Sequence, residues 1–278
     1  MSITVFCSGK GAPGVTTLVS ATGAVWSSPR PVLVAECDPS GNDLAVRFGL
    51  NPGLGMTSLV LDSRSERNDT PLDNHIQVLP GGLAALVGPV SAAAARRLDT
   101  ELAQVGVGVL PSGHDVLVDC GRIVDGCRGQ EELLTVAGHV VLVIRPDPAG
   151  IAHARAALGA VRSVAPRRPC SVITVGTSSY PVGEIEDALE VTVAAAVPHD
   201  HTAAAIIGGA PGRATRLTRS RLVATARNVA IRLAAHRDSM SSPPSKVARP
   251  EAAAPVPGAA LTTDGAGRAS TNGHKRWM

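Results

Sequence analysis

Residues 8–17 read Ser8-Gly9-Lys10-Gly11-Ala12-Pro13-Gly14-Val15-Thr16-Thr17, between an apolar run at 3–7 and a helix-like run at 18–26. An apolar strand, a glycine-rich turn and a helix in that order bring backbone N–H groups and a helix N-terminus to bear on an anion. Gly9, Gly11 and Gly14 allow close backbone approach, and Thr16 and Thr17 place hydroxyls in the first helical turn. A full phosphate loop carries lysine immediately before those hydroxyls. This chain has Val15 there, and the nearby lysine is Lys10, at the start of the loop.

Outward from the loop, short apolar runs at 31–36, 75–79, 115–119, 139–144, 170–175 and 191–197 alternate with helical stretches at 41–48, 56–61, 91–105, 130–137, 149–164, 182–189, 201–208 and 217–236. Runs apolar throughout and rich in Val and Ile, separated by helices, predict a sheet covered on both faces. The expected fold is α/β, a doubly wound, mostly parallel sheet of seven to eight strands with helices on both faces, over residues 1–238. From residue 239 Ser, Pro, Ala, Gly and Thr dominate. Residues 239–278 hold too few large apolar groups to offset ordering entropy, which predicts a disordered tail.

Composition narrows the function. The 278 residues carry a formal charge of +3, too mild to call for nucleic acid by itself, and aromatics at 2% leave few rings for stacking bases. The five cysteines lack CxxC spacing, which argues against a disulfide scaffold and a zinc site and favours a reducing cytoplasm. No apolar run approaches the ~18 residues of a membrane span, and the N-terminus does not read as a secretion signal.

In a doubly wound sheet ligands gather at the carboxyl ends of the strands. Two of those ends carry acids: Glu36 and Asp38 close one apolar run, and Asp119 closes another. An acid at a strand end beside a hydroxyl-bearing loop suits a Mg²⁺–phosphate site, with Thr16 on the metal, Asp119 holding a metal-bound water and Asp38 orienting an attacking water. The alternative for such acids is to cap the next helix.

Four motifs in order resemble the ParA/MinD group of P-loop ATPases. Lys10 to Thr17 matches their deviant Walker A loop, Lys-Gly-Gly-x-Gly-Lys-Thr-Thr, at five of seven specified places. Glu36-Cys37-Asp38-Pro39-Ser40-Gly41-Asn42 is similar to Asp-x-Asp-Pro-Gln-Gly-Asn, and residues 115–119 are similar to the Walker B strand. Pro198-His199-Asp200 with residues 203–211 resembles the late segment near the nucleotide base. The resemblance implies ATP and Mg²⁺ held between two subunits, with Lys10 reaching the partner's phosphates. It assigns nucleotide contacts to Gly9, Lys10, Gly11, Gly14, Val15, Thr16, Thr17, Asp119, Pro198 and Asp200. Thr16, Asp38 and Asp119 fall to the metal, and Lys10 and Asp38 to catalysis.

Val15 and Ala12 depart from the pattern, and the chain lacks the asparagine often found on the base-binding strand. Losing one charged contact to phosphate weakens binding roughly ten- to a hundredfold, which points to weak or slow turnover. Arg122 and Arg145 follow strand ends and are candidate replacement cations. Two readings stand: a dimeric positioning or partitioning ATPase, cytoplasmic and nucleoid-associated or polar, or an inactive scaffold of the same fold serving a secretion, pilus or polar assembly. The terminal helix places Leu222, Ala226, Val229, Ala230 and Leu233 on one face and is flanked by Arg213, Arg216, Arg219 and Arg221, a candidate surface for nonspecific DNA binding. Cargo and activator are not legible.

Overall fold

The computed structural model describes residues 2–10, 13–65 and 71–241. The strands are β1 (Ser2–Ser8), β2 (Val32–Glu36), β3 (Gln77–Val78), β4 (Ala84–Leu86), β5 (Asp115–Arg122), β6 (His139–Ile144), β7 (Cys170–Val175) and β8 (Val193–Val197). They form one sheet in the order β3-β4-β2-β5-β1-β6-β7-β8, parallel except for the β3–β4 pair. The helices are α1 (Val15–Ala24), α2 (Leu44–Phe48), α3 (Met56–Ser63), α4 (Ala92–Val105), α5 (Arg128–Val136), α6 (Pro148–Val164), α7 (Val182–Leu189), α8 (His201–Ile207), α9 (Ala214–Thr218) and α10 (Arg221–Ser241).

Strand side chains alternate between two cores, as the period of two demands. Val116, Val118 and Cys120 of β5 join α3 to α7 on one face, while Leu117 joins α1, α2 and α10 on the other. Each face removes the apolar stripe of several helices from water, so a strand buried on both sides reads as an unbroken apolar run. On α10 the expected face is the buried one: Leu222, Ala226, Val229, Ala230 and Leu233 are all covered. All five cysteines are free thiols, four of them buried, and burial pushes those of Cys7, Cys37 and Cys120 well above the ordinary range.

The run at 75–79 is not a βα unit. Only Gln77–Val78 is extended, and it turns back on β4 through Gly81 and Gly82, both at positive φ, with Leu79 N–H bonded to the Leu83 carbonyl at 2.8 Å. A Gly-Gly pair between apolar residues is a hairpin signal, here joining strands short enough to escape a periodicity count. The expected helix at 217–236 is two helices. Ser220 breaks it by capping α10, its hydroxyl accepting from Val223 N–H at 3.3 Å and donating to Asp200 at 2.7 Å. Helix α10 ends at Ser241, past the boundary expected at 238, and the expectation of a disordered tail falls on residues 242–278, outside the described residues.

Glu36 resolves as a capping acid. One carboxylate oxygen accepts from Asp43 and Leu44 N–H, each at 3.0 Å, at the start of α2, and the other accepts from Gly88 N–H at 3.1 Å. Burial outweighs these bonds and pushes Glu36 from an ordinary 4.5 up to about 7. A raised carboxyl pKa means the fold favours the protonated form, so this contribution is complete below about pH 4.5 and lost as pH rises through about 7. The stability advantage of the wild type over Glu36→Gln should fall by roughly 3 kcal/mol between those limits. Chemical denaturation of both proteins at pH 5 and pH 8 measures it, and a pH-independent difference would refute the assignment.

Candidate nucleotide site

Strand order places the site. β1 lies between β5 and β6, and β2 lies beside β5, so Ser8, Asp38 and Asp119 converge at one end of adjacent strands. Gly14, in the left-handed conformation at φ 98°, turns the chain from the loop into α1 without a side-chain cap. The first intrahelical bond there is Leu18 N–H to the Gly14 carbonyl at 2.9 Å, which leaves the N–H groups of Val15, Thr16 and Thr17 without intrahelical acceptors. They belong to the lining of a cavity of about 410 Å³ formed by Ser8, Gly14, Val15, Thr16, Thr17, Asp38, Ser40, Asp43, Arg47, Gly121 and Arg122.

Asp119 lies beneath this cavity, 2% exposed, accepting from Gly121 N–H at 2.9 Å, with the Thr16 hydroxyl near enough to lower its pKa. Burial pushes its pKa up to about 6, the two donors pull it down, and the charge of Asp38 pushes it up again. Asp38 is half-buried and also raised by burial, against the pull of its bonds to Ser40 and of the Arg122 charge. Its turn is tightly held: Asp38 N–H donates to Asn42 Oδ1 at 3.1 Å, Ser40 N–H donates to Asp38 Oδ1 at 2.7 Å, and Asn42 Nδ2 donates to the Pro89 carbonyl at 3.1 Å. Gly121, at φ 53°, is where the Asp38 carboxylate packs against β5, and a Cβ there would overlap it. A hydroxyl beside a buried carboxylate, a second carboxylate and a row of open N–H groups are a donor set suited to Mg²⁺ and phosphate.

The remaining sequence-derived residues divide between two neighbouring cavities. Gly9 and Lys10 line one with Pro13, Arg145, Asp147 and His153; Lys10 is exposed, and Gly9 packs so closely on the His153 backbone that a Cβ would clash. Pro198 and Asp200 line the other with Gly14, Thr17, Arg145, His199 and His201. Asp200 also caps α8, accepting from Ala203 N–H at 2.9 Å, and this bond and that from Ser220 lower its pKa. The His199 and His201 rings stack at 5.5 Å, and the ring of His199 packs on Gly176 where a Cβ would clash. Gly11 lies outside the described residues. Of the two candidate cations, Arg122 reaches the Thr16 cavity, whereas Arg145 lines the other two.

Sequence reasoning missed Arg47, Asp43 and Gly121. Asp43, the N-cap of α2, pairs with Arg47 four residues on at 2.6 Å, and that spacing, directly after the acidic turn, was the available signal. Among the described residues no group of three or more His, Cys, Asp or Glu side chains is placed to hold a metal.

The fold is a doubly wound α/β sheet with helices on both faces. Its structural neighbours are ParA/MinD family ATPases. A ParA family ATPase from Chlorobium tepidum superposes with a TM-score of 0.66 at 16% identity, over 83% of this chain and 98% of that one. The septum site-determining protein MinD from Pyrococcus horikoshii, complexed with Mg-ADP, gives 0.64 at 17% identity over 88% and 99%. A putative plasmid partition protein from Borrelia burgdorferi, bound to AMPPNP, gives 0.64 at 12% identity over 85% and 99%. No family model and no curated protein matches the sequence. The shared property is the fold, and no helix among the described residues is long and apolar enough to cross a membrane.

Proposed function

We propose that this chain is a ParA/MinD-like, nucleotide-dependent positioning or partitioning protein that binds ATP with Mg²⁺ between two subunits and hydrolyses it weakly or slowly. The observation that carries the reading is the buried carboxylate of Asp119 beneath a cavity lined by Thr16, Asp38 and the open N–H groups at the start of α1. In this reading Gly14, Val15, Thr16 and Thr17 contact phosphate, Thr16, Asp38 and Asp119 serve the metal, and Pro198 and Asp200 border the base. Bound Mg²⁺ would neutralise phosphate charge, and this chain's residues would hold and orient the group. Exposed Lys10 is free to serve a second subunit's phosphates, and Asp38 to orient water.

A second reading, an inactive scaffold of the same fold, is favoured by Val15. Its side chain is 5% exposed and packs with Phe6, Leu18 and Leu117, so the place of a phosphate-binding charge belongs to the core. Titration with ATP, with and without Mg²⁺, beside a phosphate-release assay separates the two. Mg²⁺-dependent binding with slow release supports the first reading, whereas binding without release, or no binding at all, removes the first and supports the second.

For partners, the reading takes a nucleotide-dependent homodimer, an unidentified protein cargo or activator, and DNA. The DNA surface would be Arg213, Arg216, Arg219 and Arg221, all exposed, whereas Arg232 is engaged with the Ala194 carbonyl at 2.8 Å. Retention on nonspecific duplex DNA should fall steeply with salt and drop at least tenfold in the Arg216→Ala, Arg219→Ala, Arg221→Ala triple variant. Unchanged retention would remove DNA from the proposal. The location that follows is the cytoplasm, at the nucleoid or a cell pole.

A further inference from the structure

We propose that Arg47 and Arg122 form a two-arginine clamp that binds the polyphosphate of a nucleotide from the side of the loop, replacing the charge that Val15 removes. This rests on the nucleotide reading above.

The cavity's charge requires such a device. Its lining includes Asp38 and Asp43, and Asp119 lies beneath. Three carboxylates around a polyanion site repel the ligand unless cations offset them. Arg47 and Arg122 are the cationic residues among the described lining; Lys10 and Arg145 border other cavities.

Both arginines project from anchored backbone. Arg47 sits on α2, and its carbonyl packs on Gly209, at φ 95°, so closely that a Cβ there would clash. Its guanidinium is held by Asp43 at 2.6 Å, an exposed i,i+4 pair whose weak bond a phosphate can outcompete. Arg122 ends β5, where its carbonyl accepts from Gln130 Nε2 at 2.9 Å and the following Ile123 N–H donates to the Ser8 carbonyl at 2.9 Å. The main chain is fixed on both sides while the side chain is exposed in the cavity. Each charge is felt at a site carboxylate, Arg122 at Asp38 and Arg47 at Asp119. A guanidinium presents a planar fork that fits two phosphate oxygens, so two of them on different elements can grip a polyphosphate without a lysine in the loop.

Calorimetric titration of the full chain with ATP·Mg²⁺ and, separately, inorganic tripolyphosphate tests the clamp. Arg47→Gln and Arg122→Gln should each weaken both ligands about tenfold, and the double variant about a hundredfold. Thermal unfolding of the unliganded variants separates lost binding from lost fold, and Arg122→Gln, at an exposed position, keeps the test open if Arg47→Gln harms folding. A double variant that binds tripolyphosphate within about twofold of the wild type overturns the clamp. A wild type that binds tripolyphosphate but not ATP leaves the clamp standing and removes the nucleotide reading; one that binds neither removes both.

Discussion

Asp119→Asn is expected to make the unliganded protein more stable while removing its response to nucleotide and metal. The carboxylate is 2% exposed and burial pushes its pKa up to about 6, so at pH 7.5 the fold carries a largely ionised acid that it would hold more easily neutral. Asparagine keeps the shape and an oxygen for Gly121 N–H, and its amide can donate to the Thr16 hydroxyl. Removing the charge should therefore stabilise the unliganded fold by about 1–3 kcal/mol. The same change takes away the group proposed to hold a metal-bound water, so the increase in melting temperature with ATP and Mg²⁺ expected of the wild type should vanish. The two effects have opposite signs, which a merely structural aspartate would not produce. A destabilised unliganded variant, or one that keeps the wild-type ligand shift, would refute the assignment.

Gly121→Ala is the second large effect, and it acts through a neighbour. The added Cβ would overlap the Asp38 carboxylate, which Ser40 N–H holds from the other side at 2.7 Å, so the acid must leave its position. The backbone cost is modest, because φ 53° lies in the left-handed region, at about 1–2 kcal/mol for alanine. ATP·Mg²⁺ affinity should fall more than tenfold, with a melting temperature only a few degrees lower. Asp38→Ala should match it in binding without the backbone cost. If Gly121→Ala binds like the wild type, the packing of Asp38 on β5 does not position the site.

These variants probe positions of unequal legibility. Asp119 is readable because an acid ending an unbroken apolar run is conspicuous, and its partner Thr16 because it follows a glycine-rich turn. Gly121 is not, since its reason for being glycine is a side chain from β2's loop, more than eighty residues earlier in the chain. Glu36 reads as a site acid from its place at a strand end, yet its three N–H donors come from α2 and Gly88, so it serves as a cap. Arg122 and Arg145 look equivalent in sequence, and only their cavities separate them.

By itself the sequence determined the layered α/β architecture, the strand–loop–helix at residues 8–17, the acids at the strand ends and the buried face of the last helix. All of these are local, written in the period of apolar residues and in glycine and hydroxyl spacing along one segment. Tertiary structure alone decided which segments meet. The order β2-β5-β1 puts Asp38, Asp119 and Ser8 side by side, folds Arg47 and Arg122 into the cavity of Thr16, and sends Lys10 to a different one. Side chains joined by sheet order and helix packing leave no periodic trace in the chain, which is why the charge facing Val15 becomes visible only in the fold.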